Sequence, residues 1–423
     1  LGRVSEPSTP QEFPTRDFAR IWWAQSVSTL GSYFTSLALS AIVVLTLDGT
    51  AQDVGWLNSA RWLPYLVFGL LVGALVDRYR RRPVIVVTDL VRAALLLLIP
   101  IAWAADFLSL PFLMGIVACF GAASLVNDSA VMSFLPRLVP RSHLQQAHAR
   151  IDTTDAVAQS AGPALAGLLV KLVGAPLAVL VDAATYVFSA FMVLSIRVTE
   201  APTAPTQAPH VIREIREGVR WVYRGSGLLL LAVTTHIWFV GNAILGAVVA
   251  AYAFITLDLN ALQFGVATAL AGVGGVVGAV TSSGGGRWLG TGGAIIAAHA
   301  MTAVGVAVMV LAGIGTESWA AASVLAAGQA FLGFGLSFGN SHEESYRQAV
   351  TPDGLRARTI TTMRSFNRAI LVVVAPLGGL LAVQTSNRAA LICAALIFAA
   401  VVVILLASPV RAMRYDYAEA LAD

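Results

Sequence analysis

The chain has 423 residues, of which 57% are hydrophobic and 12% charged, with a formal net charge of +4. A soluble domain carries about 25% charged residues, so the composition excludes a soluble protein and points to repeated bilayer crossings. The positive charge sits in short loops between apolar runs, which is positive-inside bias and not a nucleic-acid surface.

Residues 1–17 are polar and proline-bearing, unlike a cleaved signal peptide, and read as a cytoplasmic tail. A crossing helix needs about 20 predominantly apolar residues. Twelve such runs follow, over 20–47, 54–77, 83–105, 109–134, 147–173, 176–198, 227–256, 261–283, 291–314, 318–340, 357–383 and 386–410. Between the second and third lies Gly73-Ala74-Leu75-Val76-Asp77-Arg78-Tyr79-Arg80-Arg81-Arg82-Pro83, with four arginines in five residues. Such a loop stays on the cytoplasmic side. The same-side segments 136–150, 198–226, 284–290, 341–358 and the tail after Pro409 hold most of the arginines. The opposite turns hold Asp48, Asp53, Asp106, Asp258 and Glu317, against Lys171 and Arg388. Both termini are therefore expected in the cytoplasm, with the protein in the inner (cytoplasmic) membrane.

The longest connection, 199–226, opens on a proline-rich piece at 201–205, a linker signal. It continues with Val211, Ile215, Val219 and Val222 at helical spacing among Arg and Glu. That is an amphipathic helix lying at the interface or, alternatively, a solvated charged helix. Across the linker the halves look related. Gly31 and Gly241 are 210 apart, Gly69-x-x-x-Gly73 matches Gly274-x-x-x-Gly278, and Gly162-Pro163 matches Ala375-Pro376 at an offset of 213. The division is thus two six-helix bundles, 18–198 and 227–410, with a C-terminal tail at 411–423.

The pattern Gly73-x-Leu-x-Asp77-Arg78-x-x-Arg81-Arg82 resembles the loop between helices 2 and 3 of the major facilitator superfamily, with Arg80 in place of the usual glycine. Gly162-Pro163-x-x-x-Gly167 resembles the fifth-helix motif of that superfamily's drug:proton antiporters. The phrases at 135–140 and 217–222 are similar to the branch of macrolide-efflux proteins and the enterobactin exporter. The resemblance implies an all-α polytopic fold of twelve helices in two pseudo-symmetric bundles, working by alternating access. It also implies that the first loop latches the halves against the start of the eleventh helix, through Arg356, Arg358 or Arg364. The chain departs from the pattern in having no arginine between Pro111 and Val126, Ser32 where the branch often has an acid, and Ser282 where a second aspartate would fall.

Ionisable groups inside a membrane are functional candidates, because an unpaired charge there is costly. Asp89 and Arg92, three apart, read as a local pair; Asp182 reads as structural, and Asp152 and Asp155 as caps or contacts between the halves. Asp128, Glu343 and Glu344 are the proton-coupling candidates, the alternative being side chains that snorkel to the interface. His236 is the fourth, or else a packing histidine. Ser26, Thr29, Tyr33, Ser36 and Ser40, with Ser32 beside them, form a polar stripe on the first helix. With Trp238, Asn242, Gln329, Phe331 and Phe334 they are expected to line a cavity for an amphipathic organic molecule. The glycines at 272–278 lie in an apolar run and read as helix packing, not a nucleotide loop. Cys119 and Cys393 are too few for a disulfide framework, and no cluster has metal-ligand spacing. The expectation is a monomeric, cofactor-free and non-enzymatic exporter, exchanging its substrate for protons within the bilayer. A lipid or lysolipid translocator, an importer and a non-transporting receptor or scaffold stay open.

Overall fold

The computed structural model describes residues 15–76, 78–198, 211–225, 227–314 and 318–413. Asp77, Glu317, most of both tails and the proline-rich part of the linker lie outside these. Among the described residues the regular structure is helical throughout: α1 (Arg16–Ala41), α2 (Ala51–Val76), α3 (Arg81–Ala104), α4 (Leu110–Leu138), α5 (Leu144–Val173), α6 (Ala175–Leu194), α7 (Val211–Arg220), α8 (Leu229–Ala251), α9 (Ala261–Val310), α10 (Ser318–Val350), α11 (Asp353–Gln384) and α12 (Asn387–Leu406).

Ten of these segments are long and apolar enough to cross a membrane. The 50-residue α9 would reach about 75 Å at 1.5 Å per residue, more than twice the roughly 30 Å hydrocarbon core. It breaks at Gly290, whose φ of 71° and ψ of 168° suit glycine. Two expected loops are mostly helix. The first, 284–290, is helical up to that break, and α10 runs on to Val350 through the expected loop at 341–358. Ion pairs from Arg347 to Glu344 at 3.1 Å and to Glu343 at 3.8 Å support that extra length.

Helices α1 to α6 pack on one another, and α8 to α12 do the same. The two sets join along α2 with α11, α2 with α8, and α5 with α9. The internal repeat is visible in detail. Helices α1 and α8 each end in a wide π turn, Ile42–Thr46 and Tyr252–Thr256. Each turn is followed by an aspartate in the left-handed region, Asp48 at φ 49° and Asp258 at φ 51°. Both junctions between the sets use the same device. A Cβ on Gly167 would strike the Ala261 carbonyl and Gly265, and one on Gly379 would strike the Ala51 carbonyl and Gln52. Gly265 likewise abuts the Pro163 carbonyl, and Gly55 the Ala375 carbonyl and Pro376. In lipid, where apolar surface gains little by leaving the solvent, helices associate through such small-residue approaches. The Gly-Pro motif of α5 is therefore one half of a symmetric seam.

That seam lies at the end opposite the arginine loops. Asn58 Nδ2 donates to the Gly246 carbonyl at 3.1 Å, and Ser59 Oγ to the Val372 carbonyl at 2.6 Å, which extends it inward. Toward the arginine-rich end the helices that form the seam become exposed. Asp152 and Asp155 on α5 are exposed, as are Val280 at 75% and Trp288 at 84% on α9.

Helix α7 docks on α11, with Gly218 against Arg358 and Thr362, and Glu217 ion-paired to Arg358. A hydrogen bond from Arg213 (2.8 Å), with Arg358 beside it, holds the Glu217 carboxyl below its ordinary value. A depressed carboxyl keeps its pair above the ordinary range and loses it as pH falls through the depressed value. Glu217→Gln is expected to speed amide hydrogen exchange across 211–225 at neutral pH. Acidification through the depressed value should lower the protection factors of the same amides in the unaltered protein, once the slower intrinsic exchange at low pH is divided out, and add little in the variant.

Candidate functional site

Most of the polar groups inside the bundle are consumed by packing. Asp89 pairs with Arg92 and also accepts from Ser189 Oγ at 2.7 Å and Asn127 Nδ2 at 3.0 Å, while Arg92 lies 4.1 Å over the Tyr186 ring. This ties α3, α4 and α6 together. Asp182 accepts from Thr35 and Thr185, tying α1 to α6. On α1 the polar stripe divides. Ser32 turns to α6, 3.0 Å from the Tyr186 hydroxyl, away from the cavity described below. At 100° per residue, positions 28, 32 and 35 form one face, and 33, 36 and 40 another. Tyr33 packs against Gly162 of α5, and Ser36 is exposed.

His236 has a hydrogen-bond partner at each ring nitrogen. Its Nδ1 is 2.7 Å from Asn367 Oδ1, and its Nε2 is 2.5 Å from the Tyr223 hydroxyl. The amide oxygen only accepts, so Nδ1 carries hydrogen and, in the neutral ring, Nε2 accepts from Tyr223. Glu344 is 44% exposed beside Arg347 and belongs to the surface.

The described members of the expected latch do not meet. No atom comes within 4 Å of a Cβ on Gly73, and Arg78 is exposed. Arg81 donates to the Tyr79 carbonyl at 3.1 Å. Arg82 donates to the carbonyls of Val193 and Leu194, capping the end of α6, where a cation suits the helix dipole. Arg358 is held by Glu217.

Two arrangements remain. The first is a cavity of about 310 Å³ within the second set. Helix α8 contributes Thr235, Trp238, Phe239 and Asn242; α9 contributes Ala298, His299 and Thr302; α10 contributes a face from Gly335 to Glu343. Glu343 Oε1 is 2.9 Å from His299 Nε2, and Thr235 Oγ1 is 3.5 Å from Oε2. With its side chain 13% exposed, Glu343 is a carboxylate held at the wall of an aromatic chamber. Phe331 and Phe334 are elsewhere. They line an apolar groove of about 450 Å³ with Val273, Val277 and Met301, and share no lining residue with the cavity. Positions 327, 331 and 334 of α10 fall on a different face from 335, 339 and 343. Gln329 is buried and lines neither space.

The second arrangement joins the two sets at mid-depth. Tyr65 of α2 donates from its hydroxyl to Asp128 of α4 at 2.7 Å. Arg368, at the midpoint of α11 in the other set, lies 4.4 Å over the Tyr65 ring and 5.9 Å over that of Trp62. Arg61, Arg92 and Arg368 all act electrostatically on the Asp128 carboxylate. Asp128 keeps accessible surface while its carboxylate accepts from Tyr65. One aromatic ring thus connects a carboxylate in one set to a guanidinium in the other. Among the described residues, no three His, Cys, Asp or Glu side chains come together as a metal site.

A family model described as transmembrane secretion effector matches residues 8–422. Macrolide efflux protein A of Streptococcus pyogenes is 28% identical over 228 residues, covering 53% of this chain and 55% of that protein. The multidrug efflux pump Tap of Mycobacterium bovis (strain BCG / Pasteur 1173P2) is 28% identical over 207 residues, 45% of this chain and 49% of that one. The chain spans about half the length of the curated relatives it matches. Among solved structures, an inward-facing bacterial homologue of the iron transporter ferroportin superposes with a TM-score of 0.76 at 14% identity, covering 94% of this chain and 99% of that one. The nucleoside transporter NupG gives 0.74 at 10% identity, over 93% and 99% of the two chains.

Proposed function

The chain belongs to the transmembrane secretion effector family of major facilitator proteins, and from that premise we propose that it exports amphipathic organic molecules by alternating access, in exchange for protons. The reading takes twelve crossings, counting α2 and both parts of α9, in bundles 18–198 and 227–410. It puts the arginine-rich end and both termini in the cytoplasm, by the positive-inside bias. The names of the efflux relatives support export. The observation that carries the reading is the cavity around Trp238, Asn242, His299 and Glu343, aromatic and polar at once, in a protein whose two sets of helices meet closely at the end opposite the arginine loops. Ligand sites of about 300–1,000 Å³ with few placed polar groups suit compact organic molecules. The 310 Å³ cavity is at the small end of that range.

Proton occupancy of Asp128 supplies the coupling. With a proton on its carboxylate, the charge facing Arg61 and Arg368 is gone, so the halves are held differently at mid-depth. A ligand or proton shifts an equilibrium only by such differential interaction. The loop around Asp77 keeps its gating role in the opposite state, in which Arg358 would exchange its partner on α7 for that loop.

A lipid translocator is the second reading, because the apolar groove at Phe331 and Phe334 would accept an acyl chain. It ranks below the first because that groove and the polar cavity share no residue, whereas a translocated headgroup needs a polar path continuous with its tail.

Binding to the detergent-purified protein tests the site. A charge-assisted contact is worth about 1.5–3 kcal/mol, so Glu343→Gln is expected to weaken a compact amphipathic cation such as ethidium about 10- to 100-fold. Unchanged affinity in Glu343→Gln and in Trp238→Ala would remove this cavity from the account.

A further inference from the structure

At the arginine-rich end of the first set, four arginines line a cleft of about 540 Å³. Arg16 and Arg20 come from the start of α1, Arg137 from the end of α4, and Arg197 from just beyond α6. These three segments are brought together by specific bonds. Thr15 Oγ1 donates to the Leu138 carbonyl at 3.4 Å and accepts from the Phe18 amide at 3.1 Å. Asp17 accepts from Arg20 at 2.8 Å and from the Arg197 backbone amide at 3.3 Å and 3.4 Å. Among the described residues that line it, Asp17 is the one carboxylate beside the four arginines. The first turn of α1 adds the positive end of its dipole. This is more positive charge than a loop needs to stay on one side of a membrane, and it is concave.

The neighbouring surface selects the kind of anion. Val187, Phe191 and Leu194 form an exposed apolar stripe on α6, at 51%, 65% and 52%, which ends three residues before Arg197. Trp23, 52% exposed, stands one turn along α1 from Arg20 and is the type of residue found at the bilayer interface. A free inorganic phosphate has no use for such a stripe. A phospholipid does, since its chains can lie along α6 while its phosphate sits among the arginines. We infer that this cleft is a binding site for the phosphate headgroup of an anionic phospholipid from the leaflet at the arginine-rich end.

Native mass spectrometry of the full-length protein, titrated with phosphatidylglycerol and with phosphatidylcholine, tests this without reference to transport. A basic residue near a membrane surface is worth about fivefold in affinity for an anionic lipid. The unaltered protein is expected to prefer phosphatidylglycerol. The triple variant Arg16→Gln/Arg137→Gln/Arg197→Gln should lose about 100-fold in that affinity. Arg197→Gln alone, which leaves the other walls of the cleft in place, should lose about fivefold. The control triple Arg224→Gln/Arg287→Gln/Arg411→Gln removes as many charges elsewhere and should keep the preference. No preference in the unaltered protein, or an equal loss in both triples, overturns the site. Inorganic phosphate at millimolar concentration should leave the lipid bound; full displacement would assign the cleft to free phosphate and overturn the lipid.

Discussion

Gly167→Leu is expected to open the end opposite the arginine loops and to lower transport at least about fivefold. A Cβ at this position already strikes the Ala261 carbonyl and the Gly265 backbone, neither of which can swing aside as a side chain can. Forcing extra methylenes into such a contact costs about 1–3 kcal/mol, charged against the sealed state alone. At about 1.4 kcal/mol per tenfold, the equilibrium between states moves about 5- to 150-fold. Gly379→Leu, at the symmetric seam against Ala51 and Gln52, should do the same. Spin labels on cysteines placed at Ala105 and Gln384, which are exposed at that end, read the change directly. The native Cys119 and Cys393 must first be replaced by serine. The expected result is a longer distance population in both leucine variants. An unchanged distance distribution together with unchanged flux would mean the seam is not the gate.

Asp128→Asn is expected to separate coupling from movement. Flux driven by a pH gradient should fall about 100-fold, while substrate exchange at equal pH on both sides should continue within about threefold. Losses of 10²–10⁴ are typical when a positioned proton-transfer group is removed. Asparagine keeps the shape of the carboxylate and an oxygen for the Tyr65 hydroxyl, but it holds neither the charge that Arg61, Arg92 and Arg368 face nor a transferable proton. Tyr65→Phe is the companion. It leaves the carboxylate and removes the hydrogen bond at the ring over which Arg368 lies, so driven flux should fall by about tenfold, in line with a bond to a charged group. If both variants lose exchange and driven flux equally, the cluster is structural, as Asp89 and Arg92 are.

The architecture was readable because membrane physics writes it in long, simple signals. Apolar runs, arginine loops and glycine offsets near 210 survive without knowledge of contacts, and the seam at Gly167 and Gly379 is the structural form of that offset. Errors arose where composition changes before the helix does. The polar stretch from Ser341 to Val350 reads as a loop, yet its i, i+3 and i, i+4 ion pairs continue α10. Faces were harder than spans. Ser32 and Tyr33 are neighbours in sequence, but one meets α6 and the other α5. Phe331 and Phe334 lie one helix face away from the cavity that Glu343 lines. The pairings of His299 with Glu343 and of Tyr65 with Asp128 and Arg368 had only one signal in the chain, an ionisable residue in an apolar run. That signal marks Arg368 and Asp128 without saying which partner each has.

The most direct measurement is flux in proteoliposomes under an imposed pH gradient, with a macrolide and a fluorescent amphipathic dye as substrates. The account predicts movement that scales with the gradient, reverses with it, and stops when a protonophore collapses it. Movement indifferent to the gradient, or none for any amphipathic substrate, would contradict proton-coupled export.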